Sequence, residues 1–121
     1  MPILDIEMVL NPGDSLPHRL ASDLAHRAGE ILGTTHGRTW VRLRALPSSS
    51  YAENDEPVTK HRPVFVNVLK SRRPEGLALV EEVARLTQAL ADTCGRPAEY
   101  VHLFYEPDGA GRVAFGGKLL E

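Results

Sequence analysis

The sequence predicts an α+β fold built from a duplicated β-α-β unit. Three observations predict it. Short stretches alternate apolar and polar residues, as strands do. Two longer stretches carry apolar residues at three- and four-residue spacing, as helices do. The whole order then recurs at an offset of about sixty residues. Val41-Arg42-Leu43 is answered by Val101-His102-Leu103, and Gly37-Arg38 by Gly95-Arg96. Repeat one spans about 2–46, a linker about 47–61 and repeat two about 62–121, all within one domain.

The first strand is expected from Pro2 to Val9, with Leu4, Ile6 and Met8 on one face. Asn11-Pro12-Gly13-Asp14 turns the chain. Asp14 or Ser15 is a helix cap with Pro17 in the first turn, and the helix runs to about Leu32. Its stripe is Ala21, Leu24, Ala25, Ala28, Ile31 and Leu32, and Gly33 ends it. Thr39 to Leu46 is a strand with Thr39, Val41, Leu43 and Ala45 on one side and Trp40, Arg42 and Arg44 on the other. The polar stretch from Pro47 to His61 links the halves, with room for a short hairpin.

Val64, Val66 and Val68 form the next strand face. Ser71 to Glu75 opens a helix with Pro74 in its first turn, and Gly95 caps its end. Tyr100 to Glu106 is a strand, Asp108 to Gly111 a turn, and Arg112 to Leu120 one or two short terminal strands. Right-handed β-α-β units put parallel strands in one sheet and both helices on one face. The other face, with Trp40, Arg42 and Arg44, is then bare, which suggests oligomerisation.

Composition narrows the classes of function. With 121 residues, the chain is long enough for one core. A net charge of -2 exerts no general pull on nucleic acid or anionic membrane. The apolar runs are too short to span a bilayer. One cysteine, Cys94, forms no internal disulfide, and a cytoplasmic location is expected. His18, His26, His36 and His61 share no metal-ligand spacing, so no metal is expected.

Met1-Pro2 carries the chemistry. Removal of Met1 would leave Pro2 with a free secondary amine of intrinsic pKa roughly 8. Nearby cations or an apolar pocket would bring that value toward neutrality, where a proton shuttle works best. Other prolines in the chain are amides and cannot act as bases.

Taken together, these features resemble the tautomerase superfamily, specifically a fused, tandem 4-oxalocrotonate tautomerase. The resemblance covers essentially the whole chain and rests on Met1-Pro2, on the stretch Val66-Asn67-Val68-Leu69-Lys70-Ser71-Arg72, on Val101 to Glu106, and on Ala114-Phe115-Gly116-Gly117-Lys118-Leu119. It implies a four-stranded core sheet with two helices on one face, a homotrimer and catalysis without a cofactor. Pro2 then matches the catalytic base. Arg72 matches the arginine that holds a substrate carboxylate, and Arg42 the one that meets the enol oxygen and carboxylate. Arg73, His102, Val113 and Phe115 are candidate substrate-binding positions. The hydrophobic wall residue of the family falls at Val113, with Phe115 two residues on along the same strand face.

Moving a double bond beside a carbonyl needs one base that takes a proton and returns it elsewhere. A fixed cation stabilises the charge that grows on oxygen, and a guanidinium fork orients a carboxylate. The implied activity is enol–keto tautomerisation of a small unsaturated 2-oxo or 2-hydroxy acid. Dehalogenase, hydratase or malonate semialdehyde decarboxylase-like chemistry, and a non-catalytic trimeric binding protein, are the alternatives. Water-adding relatives place an acid in the terminal segment, and Val113-Ala114-Phe115-Gly116 has none.

Overall fold

A computed structural model of the protein describes residues 2–57 and 62–121. Met1 and His61, with the expectations attached to them, lie outside the described residues. The elements follow the expected order: β1 (Ile3–Leu10), α1 (Leu20–Leu32), β2 (Trp40–Pro47), β3 (Val64–Leu69), α2 (Gly76–Cys94), β4 (Val101–Tyr105), β5 (Ala114–Phe115) and β6 (Lys118–Leu119).

Four strands form one mixed sheet in the order β2-β1-β3-β4. Each repeat contributes a parallel pair, β1 with β2 and β3 with β4, as a helical crossover requires. The repeats meet where β1 runs antiparallel to β3, with Ile3 opposite Leu69 and Ile6 opposite Val66. Alternation sends Leu4, Ile6, Met8, Val64, Val66 and Val68 to one face, where Leu20, Leu24, Ala28, Leu86, Leu90 and Ala91 cover them. Leu4, Ile6, Leu24, Val66, Leu86 and Leu90 are completely buried. This core stabilises the sheet mainly through apolar area withdrawn from water.

Both helices begin later than the sequence implies. Leu20 starts α1 because Asp14 is spent on the turn, donating its N–H to the Asn11 carbonyl, and the Pro17 carbonyl accepts from Leu20 N. Helix α2 starts at Gly76, past Pro74, with Glu75 still extended. Gly33 and Gly95 end the helices with φ near 67° and 68°, a conformation glycine adopts at no steric cost. In the linker, residues 48–50 form a single 3-10 turn, and a lone bridge joins Glu53 to Glu56.

Candidate active site

The strand register lays the bare face out in cross-strand rows. The first is apolar, with Trp40, Ile3 and Leu69 side by side at one end of the sheet. The second runs Arg42, Asp5, Asn67, Phe104. A third runs Arg44, Glu7, Phe65, His102. Over the first two rows lies a cavity of about 560 Å³, lined by Ile3, Asp5, Trp40, Arg42, Asn67, Leu69, Glu106, Pro107 and Arg112.

Its polar floor is paired within the chain. Arg42 forks onto Asp5, donating from Nε to Oδ1 and from Nη2 to Oδ2, the latter at 2.7 Å. Those hydrogen bonds from Arg42, opposed by partial burial, hold the Asp5 carboxyl below its ordinary range. Asn67 donates from Nδ2 to Glu106 Oε1 at 2.7 Å. Arg112 donates to the Asp108 carbonyl at 2.9 Å and reaches the cavity from the far wall.

The terminal segment closes this end. Leaving β4, the chain crosses to the opposite edge of the sheet, where the Phe115 ring meets Trp40 edge-on at 5.5 Å between centroids. Gly109 sits close against the end of β3: its N–H donates to the Lys70 carbonyl at 2.8 Å, and an added Cβ would meet that oxygen at 3.3 Å. Lys70 and Tyr105 both bond Glu82 of α2, at 2.6 and 2.7 Å, tying helix to sheet beside the cavity. Burial, then the Glu82 bond, pushes the Tyr105 phenol well above its usual value.

By sequence alone the chain matches no family model and no curated protein. Its architecture has counterparts among solved structures. Macrophage migration inhibitory factor (MIF) from Oncomelania hupensis superposes with a TM-score of 0.74 at 16% identity, over 100% of this chain and 83% of that one. A fused 4-OT solved as a symmetric trimer gives 0.73 at 13% identity, over 98% and 94%. Pt0534, solved after inactivation by 2-oxo-3-pentynoate, gives 0.73 at 16%, again over 98% and 94%. The chain has the fold of MIF and fused 4-OT.

Within this MIF-like fold the expected site residues divide. Pro2 is buried at the head of β1, its carbonyl accepting from Trp40 N at 3.1 Å, and its chain neighbour Ile3 lines the cavity. Arg42 lines it too, but bound to Asp5. Arg72 lies just beyond the end of β3, exposed, with no hydrogen bond or ion pair among the described residues. Its neighbour Arg73 donates its backbone N–H to Asp108 Oδ1 at 2.9 Å and borders an adjoining depression with Glu75, Tyr105 and Arg112. Phe115 reaches the site through Trp40, whereas half-buried Val113 packs against Gly109. His102 is remote, its ring tilted against that of Phe65 at 5.6 Å between centroids in the third row. Arg62 is at the opposite end of the sheet, bonded to Asn11.

Sequence reasoning passed over Asp5, Asn67, Glu106 and Arg112. Strand parity alone puts Asp5 and Arg42 on the bare face. Only the β1–β2 register puts them side by side. Helix α2 is 19 residues long, and among the described residues no helix is long and apolar enough to cross a membrane. Among the described residues no group of three or more His, Cys, Asp or Glu side chains converges as metal ligands would.

Proposed function

We propose that this single-domain chain is a cofactor-independent tautomerase of small unsaturated 2-oxo or 2-hydroxy acids. Pro2, freed of Met1, is base and then acid. The observation that carries this reading is the position of the cavity: Ile3, the next residue along the chain, and Trp40, bonded to the Pro2 carbonyl, both line it beside Arg42. An amine at that end would face the apolar wall of Ile3, Trp40 and Leu69, where desolvation lowers its pKa toward neutrality. Arg72, exposed and unpaired among the described residues, is a carboxylate holder, and Arg42 meets both the substrate carboxylate and the oxygen on which charge develops. A homotrimer fits the bare face, where Trp40 is 48% and Phe104 52% exposed. The fused 4-OT structure is a trimer.

The test is ketonisation of a phenylpyruvate-type enol and of 2-hydroxymuconate by processed protein. Exchanging the secondary amine for a primary one in Pro2→Ala is expected to lower kcat by about 10²-fold or more, within the usual size of a general-base contribution. An unchanged rate would overturn the assignment. A second reading, water addition on the same amine, is favoured by Glu106, a carboxylate held by Asn67 at the cavity edge. Halide release from a haloacrylate, abolished by Glu106→Gln, would select it.

A further inference from the structure

The charges lining the cavity cancel. Arg42 and Arg112 bring two positive charges, Asp5 and Glu106 two negative ones. The rest of the polar lining is an amide, Asn67, and the remaining wall is Ile3, Trp40, Leu69 and Pro107. A guanidinium offers five N–H donors in a planar fork. Asp5 takes the edge formed by Nε and Nη2 and leaves the outer edge of Arg42 open. One incoming carboxylate can therefore reach Arg42 without displacing Asp5. A second carboxylate on the same small ligand would lie over a floor that already holds Asp5 and Glu106, and like charges in a confined site repel.

We propose that Asp5 is a specificity-determining residue, whose pairing with Arg42 fits this cavity to monocarboxylates with an apolar body and against dicarboxylates of the same length. This deepens the tautomerase reading by naming its substrate class, and it rests on that reading for the chemistry though not for the binding. Asp5 discriminates in two ways. It occupies the face of Arg42 that would complete a second bidentate pair, and its own charge repels a dianion. Neither effect requires Asp5 to touch the reacting atoms.

The chain has one tryptophan, and it lines this cavity, so its fluorescence reads occupancy without any turnover. Crotonate and fumarate are the probes: unsaturated four-carbon acids that differ by one carboxylate and do not tautomerise. The wild-type protein is expected to bind crotonate about tenfold more tightly than fumarate, because the second carboxylate of fumarate is set against the like charges of Asp5 and Glu106. Asp5→Asn, nearly isosteric, frees the fork and removes one negative charge. It is expected to shift the fumarate-to-crotonate ratio by about tenfold or more toward fumarate. Arg42→Gln is expected to weaken both acids and keep the crotonate preference.

Wild-type protein that binds fumarate at least as well as crotonate would overturn the proposal. So would a ratio that Asp5→Asn leaves within about twofold, loss of the preference in Arg42→Gln, or no binding of either acid. The two readings fail separately. Pro2-dependent turnover without charge selectivity removes only the role of Asp5. Charge-selective binding without turnover removes only the tautomerase.

Discussion

The two β-α-β repeats share a backbone plan and differ in what they put on the bare face of the sheet. Asp5 stands beside Arg42 in the first repeat, and at the matching place in the second Phe65 stands beside His102. The first pair is a forked ion pair at the cavity floor. The second is a ring contact at 5.6 Å, continued by Tyr51 at 5.9 Å and Phe104 at 6.5 Å from Phe65. One repeat thus carries charge where a small ligand can reach it, and the other carries aromatic area suited to contact with another chain. The sheet-end prolines differ in the same sense. Pro2 heads β1 next to the cavity, while Pro63 is an internal residue whose carbonyl accepts from Val9 N at 3.1 Å.

The largest effect expected from breaking this asymmetry is on turnover. Arg62 matches Pro2 in the repeat but lies at the other end of the sheet, so Arg62→Ala should leave kcat within about twofold, against the loss of about 10²-fold or more in Pro2→Ala. Comparable losses from both would mean that the ends are not specialised.

Next comes a stability difference between the arginines that follow the two helices. Arg96 donates from Nη1 to the Arg62 carbonyl and from Nη2 to the Val9 carbonyl, fastening the start of β3 to the end of β1. Burial lowers the pKa of its guanidinium, which titrates too high for that to matter at neutral pH. Its counterpart Arg38 is exposed. Arg96→Met is expected to cost about 2 kcal/mol in urea unfolding, since two charge-assisted bonds are lost. Arg38→Met should cost less than about 0.5 kcal/mol. Equal costs would remove the structural assignment of Arg96.

A smaller, pH-dependent effect belongs to the ion pair. Arg42 holds the folded-state pKa of Asp5 below its ordinary value of 3.8. A depressed carboxyl pKa contributes stability that is present above the unfolded value and is lost as pH falls through the folded one. The stability gap between wild type and Asp5→Asn should therefore be level from neutrality down to about pH 5 and close below about pH 4. A gap that opened on acidification would have the wrong sign. Phe65→Leu, its counterpart in the aromatic pair, should show no such acid dependence.

The least effect is expected at the helix ends, where Leu32 is the last residue of α1 and Cys94 the last of α2. Burial pushes the Cys94 thiol up to about 11, with the charge of Arg96 pulling the other way. Its alkylation at pH 8 should be about a hundredfold slower than that of an unperturbed cysteine, because the thiolate is the reactive form. A rate near the unperturbed one would show that the second helix end is looser than its packing suggests.

Much of this fold was legible from the apolar spacing. The core residues Leu4, Ile6, Leu24, Val64, Val66 and Leu90 belong to periodic stretches, and burial follows the period there. In α2 the stripe Val80, Val83, Ala84, Thr87, Leu90, Ala91 and Cys94 holds only in part, since Val80 is exposed and the fully buried Leu86 lies off it. Helix starts were less legible, because Asp14 and Ser71 have cap chemistry but precede Pro17 and Pro74, and the helices form only beyond those prolines. The paired floor of the cavity was not legible. Asp5 with Arg42, and Asn67 with Glu106, are 37 and 39 residues apart in sequence. Their meeting depends on strand register, which no local pattern records. Arg112 reaches the site only because the terminal segment folds back across the sheet.

A nucleophilic amine on Pro2 at this cavity would be trapped by 2-oxo-3-pentynoate, the compound that inactivated Pt0534. Addition of an amine N–H across the alkyne forms a nitrogen–carbon bond, moves the proton to carbon and adds the whole mass of the reagent. One adduct per chain is expected, mapped by peptide mass spectrometry to Pro2, with activity lost in step. An intact, unlabelled Pro2 after full exposure, or an adduct confined to Cys94 or a lysine, would contradict it.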